Sequence, residues 1–126
     1  MYDKELVLSI LEQIHKALKT IKQRSSKAMD SSFFTNSHYG VEKLDSICML
    51  FIAIGESLKN IDKITQKKLL SRFSEIDWKG IMGFRDIIAH HYFDIDAEQV
   101  FWICKYELEP LTKVIEILIK ELSVSK

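Results

Sequence analysis

Residues 38–59 place apolar side chains on every face of a helix: Val41, Leu44, Ile47, Cys48, Met49, Leu50, Phe51, Ile52, Ala53, Ile54 and Leu58. A helix with no polar face lies at the centre of a bundle or is shared with a second subunit. A chain of 126 residues builds one core, and covering this helix completely from so short a chain is difficult. A homodimer is therefore the economical expectation. The longest uninterrupted apolar run, 47–54, is too short to span a bilayer.

The rest of the chain reads as helices gathered around that segment. Over 3–23, Leu6, Ile10, Ile14, Ala17, Leu18 and Ile21 recur at helical spacing, with Lys16, Lys19 and Lys22 on the opposite, solvated face. The stretch RSSKAMDSSFFTNSHYG has no sustained period and reads as a loop with a short helical turn around Phe33 and Phe34. A third helix is expected near 65–73 and a fourth over 78–93. Asp96, with Gln99 three residues on, has the pattern of an N-cap opening the last helix. Pro110 lies inside that helix and removes a backbone donor, so a kink or break is expected just before it. No strand candidate survives. With only four Gly and one Pro, the sequence predicts an all-α, up-and-down bundle of four to five helices in one domain, residues 1–126.

Composition excludes some partners. Formal net charge is zero, so nothing global attracts the chain to nucleic acid or membrane, and any anionic partner must be held by a local patch. Cys48 and Cys104 sit in apolar helical patterns and read as buried free thiols in a reducing cytosol. The opening MYDKELVLS lacks a signal-peptide core, and a cytoplasmic location is expected.

Chemistry concentrates in FRDIIAHHYFDID, residues 84–96. If the helix from Trp78 runs through Tyr92 at about 100° per residue, Ile81, Phe84, Ile87, Ile88 and His91 share one arc. Arg85, Asp86, Ala89 and His90 take the other side. His91 then reads as a core histidine, and His90 as the polar one. Asp86, one turn before His90, offers a carboxylate that would fix the imidazole tautomer and raise its basicity. Arg85 offers a cation that grips phosphate bidentately. On a regular helix Arg85 and His90 diverge by about 140°. They would flank a larger group, meet where the helix distorts, or pair with counterparts across a two-fold axis. The plain reading is an ordinary polar helix face. Asp86, His90 and Asp94 also follow an i, i+4, i+8 pattern near Asp96, but no second cluster completes a metal shell, and no metal is expected.

The run Arg85, four residues, His90, one residue, Tyr92 resembles the signature of the HEPN superfamily, specifically its HepT-like toxins. IAIGESLKNI, IDWKGIMGFRDIIAHHYFDID and VFWICKYELEPL resemble successive blocks of the same family. The resemblance implies a dimerising helical bundle with the motif facing a cleft between subunits. It implies a metal-independent endoribonuclease, the toxin of a type VII-like toxin–antitoxin pair, with RNA as substrate and no cofactor. Its antitoxin would be an MNT-type minimal nucleotidyltransferase that adds AMP to Tyr92. Carried onto this chain, Arg85 and His90 are catalytic, Asp86 supports them, and Tyr92 is the modification site.

The implied chemistry suits these residue types. RNA carries its own nucleophile, the 2′-hydroxyl, so cleavage needs proton transfer and charge stabilisation. Imidazoles titrate near pH 6.5, which suits the first, and an arginine supplies the second. One histidine cannot be base and acid at once, so two copies of His90 across a dimer would divide the tasks. Tyr92 follows Arg85 by seven residues, on nearly the same stripe, so AMP there would set an anion beside the arginine. The competing expectation, from the neutral overall charge, is a non-catalytic HEPN module partnering a nucleotidyltransferase. Two copies of Arg85, with Lys79, would supply local charge for RNA.

Overall fold

Asp3, Ser37, Asp77 and Asp96 each stand just before a helix and turn a side-chain oxygen onto its first free N–H groups. Each such cap is worth about 1 kcal/mol. The computed structural model describes residues 2–124, apart from the side chain of Tyr92. The helices are α1 (Lys4–Ser25), α2 (His38–Ile64), α3 (Trp78–His90), α4 (Ala97–Trp102) and α5 (Leu108–Val124). Single 3-10 turns occur at Ser31–Phe34, Leu70–Arg72 and Tyr92–Asp94. Among the described residues there is no strand, and no helix is long and apolar enough to cross a membrane.

Helix α2 holds the middle, with α1 and α3 packed along it and α5 against α1. Its buried stripe of Leu44, Ile47, Cys48, Phe51, Ile54, Leu58 and Ile61 meets Leu11, Ile14, Leu18 and Ile21 of α1 in one core with Ile115 and Leu118 of α5. Of the two positions open to residues 38–59, the central one forms within the chain. Parts of α2 nevertheless stay open, with Met49 66% exposed and Tyr39 and Val41 exposed near the helix start.

Three expectations need correction or refinement. No helix covers 65–73. Instead α2 runs on to Ile64, and the chain leaves through Gln66 (φ 56°) and Lys67 (φ 63°), both left-handed. Lys67 N–H donates to the Asp62 carbonyl (2.8 Å), and Lys68 N–H to that of Thr65 (3.1 Å), which closes the helix. Only the turn at Leu70–Arg72 follows, pinned by buried Leu69 and Leu70. Second, the kink or break expected just before Pro110 takes the form of a π turn and not of a gap in the helix. Ile103–Glu107 forms a π turn, with Leu108 N–H donating five residues back to Ile103, and α5 then continues past the proline. The carbonyl that the Pro110 ring would strike belongs to Tyr106, inside that widened turn. Third, α3 ends at His90, because His91 (φ −121°, ψ 39°) leaves helical geometry.

Cys48 is buried, Cys104 is half-buried, and both are free thiols, as expected. Burial pushes the Cys48 thiol up to about 12 and the Cys104 thiol up to about 11, so neither is a ready nucleophile.

Candidate active site

The site depends on how closely α3 lies against α2. Phe51 and Phe84 meet edge to face, with ring centroids 5.6 Å apart. One turn along α2 comes Gly55, where an added Cβ would stand 2.9 Å from the Cβ of Arg85. The missing side chain lets Arg85 settle on α2. Glu56 follows directly, and its Oε1 lies 2.6 Å from Arg85 Nε. That nitrogen is closed to solvent, yet its N–H is not aimed at an acceptor, so the contact is one of charge. On the other side Arg85 Nη1 donates to Asp86 Oδ1 at 2.7 Å.

The guanidinium is thus held between two carboxylates. Its hydrogen bond to Asp86, then the Glu56 charge, raise the Arg85 pKa further. The Arg85 hydrogen bond, then the charge of Lys59, hold the Asp86 carboxyl below the usual carboxylate range.

His90 is placed by the same residue through a different atom. Its Nδ1 lies 2.9 Å from the backbone carbonyl oxygen of Asp86. A carbonyl only accepts, so Nδ1 carries a proton towards it, and the residue is exposed. The carboxylate expected to orient His90 is turned to Arg85 instead. Arg85 and His90 each bond to residue 86, the one through its carboxylate and the other through its backbone carbonyl.

His91, expected in the core, is exposed, because it lies past the last turn of α3. Its N–H donates to the Ile87 carbonyl at 3.0 Å. The backbone of Tyr92 opens the turn Tyr92–Asp94, and its side chain lies outside the described residues. Asp96 caps α4 by accepting from Glu98 and Gln99 N–H groups, as its pattern predicts. Among the described residues, no three His, Cys, Asp or Glu side chains gather as they would around a metal ion.

Two features went unread in the sequence. Gly55 and Glu56 belong to a segment noted only for its resemblance, and nothing in linear spacing connects them to Arg85. The second is an open groove of about 860 Å³ beside Asp86, where Lys59, Lys63, Lys67 and Lys79 line the walls. Only Lys79 had been singled out. The i, i+4, i+8 recurrence of the other three was the available signal.

The profile of the family described as Ribonuclease HepT-like matches residues 7–118. A Methanocaldococcus jannaschii protein named Putative RNase is 36% identical over 69 residues, which are 55% of this chain and 56% of that protein. A second protein of that name and organism is 35% identical over 69 residues, 55% of this chain and 54% of its own. A Caldanaerobacter subterraneus protein, also named Putative RNase, is 36% identical over 69 residues, 54% of this chain and 58% of its own. The chain spans about half the length of the curated relatives it matches. No solved structure matches. With the profile running from the first turn of α1 almost to the end of α5, the chain belongs to the ribonuclease HepT-like family.

Proposed function

We propose that this chain is a metal-independent endoribonuclease, a cytoplasmic toxin of a type VII-like toxin–antitoxin pair, working as a homodimer of one HEPN-like domain, residues 1–126. The observation that carries the proposal is the double use of Asp86, whose carboxylate holds Arg85 while its carbonyl holds His90 Nδ1. Nε2 of His90 is then free to take the 2′-hydroxyl proton. The 2′-oxygen bonds to phosphorus, the bond to the 5′-oxygen breaks, and Arg85 offsets the charge on the phosphorane oxygens. The leaving 5′-oxygen needs a proton, which His90 of a second copy supplies. The open part of α2 around Met49 is the face offered to that copy. An MNT-type nucleotidyltransferase silences the enzyme by adding AMP to Tyr92, just past His90 in the chain.

The test is cleavage of varied RNAs in excess chelator by wild type, His90→Ala and His91→Ala. Cleavage is expected in wild type and His91→Ala and absent in His90→Ala. Equal cutting by His90→Ala, or none by wild type, would overturn the nuclease assignment. For the modification, incubation with the nucleotidyltransferase and ATP should add the mass of AMP to wild type but not to Tyr92→Phe.

One observation favours a second reading, a non-catalytic binding module partnering a nucleotidyltransferase. Arg85 already faces two carboxylates, Glu56 and Asp86, so its charge is answered before any phosphate arrives. Under that reading wild type cuts no RNA in the same assay, and the binding surface still engages the partner.

A further inference from the structure

We propose that the groove between the end of α2 and the start of α3 holds a single RNA strand, its phosphates on Lys59, Lys63, Lys67 and Lys79 and its bases on Trp78 and Met82. This deepens the ribonuclease reading and rests on it for the destination of the strand, since Asp86, the residue that holds Arg85, lines the groove.

Charge is the first argument. Four lysines and two carboxylates, Asp62 and Asp86, line the groove. Among the described residues, none of the four lysines is tied up in an ion pair. Asp86 is already committed to Arg85, and the four lysines outnumber the two carboxylates. A chain of zero net charge therefore keeps a local positive surface beside its candidate site.

Spacing is the second. Lys59 and Lys63 lie one helical turn apart on α2, a rise of about 6 Å, comparable to the separation of successive phosphates along an extended strand. Lys67 lies beyond the end of α2, yet it stays on the groove wall because Gln66 and Lys67 take left-handed backbone. Such conformations persist where the surroundings fix them, and they gather at functional sites. Lys79 comes from the start of α3.

The apolar lining decides between one strand and two. Trp78 lines the groove, half-buried against the core, and its indole Nε1 donates to the Phe73 carbonyl at 3.0 Å, which fixes the ring. Met82 adds a polarisable, adaptable surface. Apolar side chains set among lysines fit unpaired bases, whereas a duplex keeps its bases stacked inside and offers only its outer surface.

The experiment is equilibrium binding of a short oligouridylate, and of the same strand paired with oligoadenylate, across a salt series. It uses the full chain carrying His90→Ala, so that bound RNA stays whole. Lys63→Gln, Lys67→Gln and Lys79→Gln are compared with Lys113→Gln and Lys120→Gln on α5. The single strand is expected to bind more tightly than the duplex. Each groove substitution is expected to reduce the slope of log affinity against log salt by about 0.7, and the α5 substitutions to leave it unchanged. Groove variants that bind like their parent, or a duplex bound as tightly as the single strand, would overturn the proposal. A parent that binds neither RNA would also overturn it and leave the lysines to an acidic protein face. The two readings fail separately. If wild type cuts RNA and the groove variants bind and cut equally well, the groove falls and the nuclease stands. If nothing is cut but the slopes change as expected, the groove stands alone.

Discussion

Gly55 and Arg85 are in contact across the α2–α3 interface, so close that a methyl group on Gly55 would meet the Arg85 Cβ at 2.9 Å. The atom in the way is anchored to backbone, so α3 has to move. Overpacking of this kind costs about 1–3 kcal/mol, against about 1 kcal/mol gained from the better helix propensity of alanine. Gly55→Ala is therefore expected to lower stability in urea unfolding. Through the shift of Arg85 from Glu56, RNA cleavage is expected to fall by up to about a hundredfold. Gly83 is the contrast, because a Cβ there meets nothing within 4 Å. Gly83→Ala should raise stability by about 0.5–1 kcal/mol. If the two variants shift the urea midpoint alike, the close approach at Gly55 is not the reason for its glycine.

Asp86→Asn separates the two uses of that residue. The substitution removes the charge facing Arg85 but leaves the carbonyl facing His90 Nδ1. The nitrogen shifts of the His90 ring, measured by NMR at a pH where it is neutral, should report a proton on Nδ1 in wild type and variant alike. A change of tautomer in Asp86→Asn would mean that the carboxylate, not the carbonyl, orients the ring.

Gln66 holds φ 56° without being glycine. A left-handed L-residue costs about 1–2 kcal/mol, and glycine relieves most of that while losing some entropy on folding. Gln66→Gly should stabilise the chain by about 0.5–1 kcal/mol, and Gln66→Val should destabilise it, both read from the urea midpoint. No difference between the two would argue against a left-handed exit from α2.

The cysteines predict an alkaline limit. An exposed thiol loses its proton near pH 8.5, whereas burial holds those of Cys48 and Cys104 to about 12 and about 11. Above the lower value the unfolded chain binds fewer protons than the folded one, so stability falls as pH rises towards the folded values. Urea midpoints should drop from about pH 8.5 upwards. In Cys48→Ala/Cys104→Ala that drop should be smaller, whatever the absolute stability of the variant. An identical slope in both proteins would exclude the thiols as its source.

The sequence was most readable where periodicity and capping agree. Helical spacing from Leu6 to Ile21 marked α1, the apolar run around Phe51 marked the central helix, and Asp96 opened α4 as its pattern required. It was least readable where a conformation is imposed from outside. Gln66 and Lys67 end α2 without a glycine or proline, so the stretch after them looked helical. His91 fitted an apolar arc only if α3 continued, and it does not. Arg85, Asp86 and His90 were picked out as neighbours. Which atom of Asp86 faces which partner, and that Glu56 faces Arg85 at all, depends on the distance between two helices that no local pattern encodes.

His90 is the last residue of α3, and its ring is held by the carbonyl of Asp86 one turn back. In a regular α-helix that same oxygen also accepts the backbone N–H of residue 90. The histidine is therefore aimed only while the final turn stays wound. Fraying by a single residue sets the imidazole loose and leaves the arginine clamp untouched, so winding and unwinding this one turn works as a latch on the imidazole alone.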